Sequence, residues 1–322
     1  MSWIGWFGKG VGCSALALAL PCLAGAAGPP GNPVAWESPR HVDHPLVGRI
    51  WDSRRQSFAS PQELLASLRE ARFALLGEKH DNADHHRLQL SVLESLIAAD
   101  ALSGVAFEMI DAARAGKLEG IVERQLADDA ALKAWLEWDD GWEWGFYSPL
   151  LRAALDAGLP IAAANIDEAA IMAIYQGQAQ AQAQTPPEDV FDAAAMEKLF
   201  ADIDQSHCGL LPESQFPAMV RVQQSRDLAM ANALLVLAAD DATAVLIAGN
   251  YHARQDLGAP NFLLVLEPEL RRDEIISLSF VEAAAGETAP ASYLERFGGT
   301  AEHDYLWFTP ATPEIDYCAQ LR

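Results

Sequence analysis

The sequence predicts an α/β protein with a mostly parallel central sheet and helices packed around it. Three observations predict it. Strand-like apolar runs alternate with helix-length segments along the chain, which is the pattern of βαβ units. Two of the runs, Phe73–Leu76 and Ala244–Ile247, are apolar on both faces, as strands covered by helices on each side must be. Polar clusters follow the strands directly, and an open parallel sheet places its ligands beyond those carboxyl ends.

The elements follow in order. Met1–Ala26 is weakly basic, with Lys9 alone, an apolar core over Val11–Leu20, and small residues at Ala24 and Ala26. It reads as a secretory signal peptide, because the apolar run is too short to span a bilayer. Cys22 offers a lipidated mature N-terminus instead, although Leu20-Pro21 before it makes a poor lipidation signal. Residues 27–45, rich in Gly and Pro, read as a linker, and 46–322 as one domain. Gly48–Asp52 is a short strand or turn, and Ser60–Glu70 a helix. Ala71–Leu76 is the first strong strand. Ala83–Ala99 is a helix with Leu88, Val92, Leu93, Leu96 and Ile97 at helical spacing. Gly104–Met109 and Pro160–Asn165 are strands, and Ala112–Glu137 a helix between them. Gln176–Gln184 is a low-complexity Gln/Ala loop or helix end. Phe191–Ile203 and Ser214–Ala239 are helices. Thr243–Ala248, Ile275–Val281 and Tyr305–Phe308 are the remaining strands.

Composition narrows the functions. The 322 residues carry a net charge of −23, and 51% are hydrophobic. The hydrophobic share excludes a disordered chain. The acid excess excludes a broad basic face for nucleic acid or anionic lipid, though not an anion held by one or two arginines. Removal of Met1–Ala26 takes Lys9 with it and leaves −24, which serves solubility. It also leaves two of the four cysteines outside that segment and position 22, Cys208 and Cys318, either as one disulfide or as two separate buried thiols.

The chemistry gathers after the strands. Gly77-Glu78-Lys79-His80-Asp81-Asn82 precedes Asp84-His85-His86, so three of eight histidines fall within seven residues. Gly77 permits a sharp exit from the strand, Asp81 or Asn82 can cap the next helix, and His85 then lies in its first turn near anion-attracting N–H groups. Glu108 ends an apolar strand, which is costly for a carboxylate unless it is paired or faces a cleft. Gly249-Asn250-Tyr251-His252-Ala253-Arg254 repeats the Gly-x-x-His pattern of Gly77–His80. Arg254 is able to grip a carboxylate with two bonds, or to form a surface ion pair. Trp135–Tyr147 holds six aromatic residues, as a hydrophobic hub or the wall for a flat ligand, with Tyr147 its more open member. His207-Cys208-Gly209 connects two helices, and offers His207 as a ligand or simply a turn pinned by Cys208.

These blocks, with Phe107-Glu108-Met109, Trp142–Tyr147, Arg226-Asp227, Gly249–Pro260 and Asp304–Pro310, resemble in order those of the ChaN-type haem-binding uptake proteins of the Tiki/TraB-like superfamily. The resemblance spans about residues 45–310. It implies an iron-regulated haem-binding protein of the periplasm or outer membrane, often lipidated, acting in haem and iron uptake or haem storage. It implies non-covalent haem with a Tyr or His axial ligand at or near a homodimer interface, and an outer-membrane haem receptor system as partner. His80, His85, Tyr147, His207, Tyr251, His252 and Arg254 are then the cofactor-binding candidates, with Tyr147 and Tyr251 the candidate iron ligands. Tyr251 stands where the family pattern has a small residue. No Cys-x-x-Cys-His is present, which excludes covalent c-type attachment. The alternative is a divalent-metal hydrolase with Glu78, His80, Glu108 and His252 as catalytic residues and His80, Glu108 and His252 as metal ligands, leaving a position open for water.

Overall fold

An eight-stranded sheet with the order β2-β1-β10-β7-β3-β6-β4-β5 runs through the molecule. The computed structural model describes residues 35–177, 186–187 and 190–320. The expected signal peptide, Cys22, residues 27–34 of the expected linker and most of the Gln/Ala stretch lie outside the described residues.

The strands are β1 (Ile50–Asp52), β2 (Ser57–Ala59), β3 (Phe73–Glu78), β4 (Leu102–Asp111), β5 (Ile161–Asn165), β6 (Thr243–Gly249), β7 (Ile275–Glu282), the β8 (Arg296–Phe297) and β9 (Thr300–Ala301) hairpin, and β10 (Tyr305–Thr309). The helices are α1 (Pro61–Glu70), α2 (Ala83–Ala98), α3 (Ala115–Glu119), α4 (Glu123–Leu126), α5 (Asp129–Leu136), α6 (Trp144–Asp156), α7 (Glu168–Tyr175), α8 (Ala193–Ser206), α9 (Phe216–Leu237), α10 (Ala259–Leu266) and α11 (Tyr317–Gln320). From β10 to β5 the sheet is parallel; β1 runs antiparallel to both β10 and β2. The pairing of β1 with β10 joins the two ends of the described chain in one sheet.

Two apolar layers sandwich the sheet. Leu76, Val245, Ile247 and Phe107 face one core with α2 and α6; Phe73, Leu75, Leu246 and Ala106 face the other with α9 and α10. Alternate residues of β3 and β6 therefore enter different cores, which is why both strands read as apolar throughout. Among the described residues, no helix is long and apolar enough to cross a membrane.

The structure corrects several boundaries. β3 extends to Glu78 as its last residue, and β4 runs on past Glu108 to Asp111. Gly77 is a strand residue with no positive φ. It is glycine because a Cβ there would lie 2.6 Å from Asn250 Oδ1 and 2.9 Å from Ala253 Cβ. The single helix expected over Ala112–Glu137 is a 3-10 turn followed by α3, α4 and α5, with Asp128 capping α5 afresh. The aromatic segment enters α6, so Tyr147 is a helical core residue with 1% exposure and not an open loop residue. The α6, α7, α10 and α11 helices are additional to the expected set.

Candidate functional site

Three loops meet at the carboxyl ends of β3, β4 and β6. In the first, Glu78 is buried, and its Oε1 accepts from His80 Nδ1 at 2.6 Å and from the Tyr147 hydroxyl at 3.0 Å. Its Oε2 is buried without a hydrogen-bond partner. His80 stands half exposed, edge-on to Trp142 at 4.9 Å between ring centroids. Burial alone would lower the His80 pKa, but the Glu78 hydrogen bond and charge, helped by Glu108 and Asp81, raise it to about 9.

The second and third loops share a histidine. His252 is buried and donates from Nδ1 to Asp227 Oδ1 at 2.7 Å, while its Nε2 lies 3.5 Å from Glu108 Oε1. Glu108 Oε2 accepts from the Gly249 N–H at 2.7 Å. Burial opposes protonation of His252, yet the charges of Glu108 and Asp227 raise its pKa. Burial likewise lifts Asp227, to about 6, against the pull of His252. Gly249 brings the pieces together: a Cβ there would sit 2.8 Å from His80 Cε1 and 3.7 Å from Glu108 Oε2. His80, Glu108, His252, Trp142, Gln223 and Arg226 line a cavity of about 500 Å³. Two imidazoles, each tied to a carboxylate, give this cleft the means to hold and exchange protons.

The other expected site residues have specific places. His85 is fully buried, accepts from the Lys79 N–H and donates to Thr309 Oγ1, so both ring nitrogens are used inside the protein. Asn82 caps α2 by accepting from Asp84 and His85 N–H. His207 ends α8 with Nδ1 on the Ile203 carbonyl, and the next residue, Cys208, takes a left-handed turn and bonds Cys318 in a disulfide. Arg254 is buried and spends its fork on Asp256, with two bonds of 2.8 Å, and on Glu302 at 3.0 Å. It is therefore neither a free grip for a ligand nor a surface pair. Tyr251 is half buried on the wall of a second cavity, of about 670 Å³, between α8, α9 and the Tyr293 turn. Its hydroxyl donates to Asp202 Oδ2 at 2.9 Å, and Lys198 holds Asp202 Oδ1 at 2.5 Å. Burial and the Asp202 charge push the Tyr251 pKa well above its ordinary value; burial and Glu78 do the same to Tyr147.

Among the described residues, no group of three or more His, Cys, Asp or Glu side chains is spaced to hold a metal ion. His80, Glu108 and His252 share the cleft without forming such a group. Asp227 and Arg226 carry no role in the sequence reading. Asp227 had a signal: it lies on the stripe Val220, Asp227, Ala231, Leu234, the buried face of α9, where a charge must have a partner. Tyr175, also passed over, ends α7 with 47% of its surface exposed.

Fold and site define an α/β protein with its polar cleft at the carboxyl edge of a parallel sheet, closed by two Gly-x-x-His turns. The profile described as haem-binding uptake, Tiki superfamily, ChaN matches residues 64–263, and the chain belongs to that family. Among solved structures, ChaN of Campylobacter jejuni, described with cofacial haem binding, superposes with a TM-score of 0.63 at 23% identity, over 80% of this chain and 95% of that one. An erythromycin esterase, EreC, gives a TM-score of 0.44 at 13% identity, over 88% of this chain and 99% of that one. No curated protein matches the sequence.

Proposed function

We propose that this chain binds haem non-covalently in the bacterial envelope and holds the iron through Tyr251. Membership of a haem-binding uptake family supports the cofactor. One observation supports Tyr251 as the ligand: it lies on the wall of a cavity with the size and apolar side chains (Leu199, Ile203, Val220) that a flat porphyrin needs. Tyr147 is enclosed in the core and committed to Glu78. Bound haem would supply a ferric iron that favours an oxygen ligand. For that, the Tyr251 hydroxyl must give up the proton it shares with Asp202, 2.9 Å away. Asp202, steadied by Lys198, is placed to receive it. Hemin titration of the purified protein tests the reading: a saturable Soret shift supports it, and unchanged free-hemin absorption contradicts it.

Export rests on Met1–Ala26, and the Cys208–Cys318 disulfide fits an oxidising compartment. Mass spectrometry of the mature N-terminus separates simple cleavage from lipidation at Cys22. A homodimer that shares haem and passes it to or from an outer-membrane receptor system completes the proposal; sedimentation with and without hemin tests the dimer.

A second reading, hydrolysis, is favoured by one observation, the Asp227–His252 pair beside Glu108. Turnover of simple aryl esters that disappears in His252→Ala supports it, and absence of turnover removes it.

A further inference from the structure

The cavity at the opposite end of the strands carries a different chemistry. It measures about 480 Å³ and is lined by Arg54, Arg272 and Arg296, with Ser53, His303 and Asp304 among its other walls. Arg54 comes from the β1–β2 turn, Arg272 from the 3-10 turn just before β7, and Arg296 from β8, so three separate loops converge there. On a chain of net charge −23, three guanidinium groups facing one cavity stand against the background field.

The acids nearby neutralise one of the three. Asp304 is already engaged: it takes Arg54 Nε at 2.7 Å, the Gln255 amide at 2.7 Å and the Ser277 N–H at 2.8 Å. Asp273 turns to Arg271, 3.0 Å away. Arg272 is half buried, yet it bonds only neutral oxygens: the Gln255 carbonyl, Gln255 Oε1 and Asn261 Oδ1. Burial lowers its pKa despite the opposing charges of Asp304 and Asp256, neither of which forms an ion pair with it. Arg296 has no ion pair among the described residues. Two guanidinium charges are thus left over in a cavity large enough for a small ligand.

We infer that this cavity is a binding site for a small oxyanion carrying two negative charges, a phosphate group or a dicarboxylate. Planar guanidinium forks match the paired oxygens of both. The site is independent of the haem reading, and nothing in it depends on Tyr251.

Calorimetric titration of inorganic phosphate into the full mature protein at low ionic strength tests it, with succinate as the second ligand. The expected result is one saturable site per chain for at least one of the two. Phosphate alone, or succinate alone, identifies the source. Arg272→Gln with Arg296→Gln, the two guanidinium groups without a carboxylate partner, should weaken binding by roughly 10-fold or more. Arg69→Gln with Arg221→Gln, changed elsewhere on the surface, should leave affinity unaltered. Unchanged hemin titration and thermal unfolding in both double variants would show that they remain folded. Absence of saturable binding for both ligands, or equal loss in both double variants, overturns the proposal.

Discussion

The His80 imidazole donates to the Glu78 carboxylate at 2.6 Å, from a ring that is half exposed to a carboxylate that is wholly buried. At neutral pH the ring is protonated and the pair is an ion pair with no net charge. His80 should therefore titrate near 9 in the intact protein. In Glu78→Gln, the largest raising influence is gone and burial prevails, so the midpoint should drop by more than a unit. NMR of the imidazole carbons follows both, and an unchanged midpoint in the variant would show that another group holds the proton.

The stability of the protein should peak near neutral pH. His85 and His86 are buried with lowered pKa values, and His303 is lowered to about 3 by burial and Arg254. Each takes up a proton more readily when unfolded, so stability falls as pH drops below the ordinary histidine value of 6.5. Asp227, raised to about 6, works in the other direction between its ordinary 3.8 and that value, as do Glu302 and Asp304, which burial also raises; Glu63, Glu137 and Asp140, lowered by their hydrogen bonds, add to the acid loss. On the alkaline side, the contribution of His80 is fully present below 6.5 and is lost as pH rises through 9. The melting temperature should be lower at about pH 5 and at about pH 10 than at about pH 7. A profile that rises steadily toward acid would contradict this assignment.

Gly249 should tolerate no side chain. In Gly249→Ala the new methyl would meet His80 Cε1 at 2.8 Å, and the half-exposed ring is the part free to move. The expected cost is about 1–3 kcal/mol in denaturant unfolding, with the His80 midpoint falling toward 6.5 as the ring leaves Glu78. Equal stability with an unshifted His80 would mean the backbone gives way instead.

The disulfide should hold the C-terminal segment to the end of α8. Cys208 and Cys318 close a separation of 110 residues, with Cα atoms 5.8 Å apart. Replacing both, Cys208→Ala with Cys318→Ala, should cost about 2–4 kcal/mol, mainly by freeing the unfolded chain. A reducing agent should lower the melting temperature of the native protein but not of the double variant.

Much of the fold was legible in the sequence because its central strands are apolar on both faces and its loops are polar. Phe73–Leu76 and Ala244–Ile247 could hardly be anything but covered strands. The Glu and His positions of the cleft were legible because each comes at or just after the end of an apolar run, Phe73–Leu76, Gly104–Phe107 or Ala244–Ile247. What stayed hidden depends on contacts between distant segments. Gly77 reads as a turn residue and is instead a strand residue pressed on Asn250 and Ala253. Arg254 reads as a free cation until Asp256 and Glu302 are seen around it. Tyr147 reads as open because aromatic content alone does not tell a loop from the buried face of α6. Asp227, on the apolar stripe of α9, signals that it needs a partner, but that the partner is His252 shows only in the structure.

The central claim is haem held through Tyr251, and one comparison tests it most directly. Absorption spectra of the ferric complex should be recorded for the native protein, Tyr251→Phe, Tyr147→Phe and Tyr175→Phe. The native protein and the last two should share a charge-transfer band typical of tyrosinate ligation, and Tyr251→Phe alone should lose it. The same band surviving in Tyr251→Phe, or vanishing in Tyr147→Phe or Tyr175→Phe instead, would contradict the assignment.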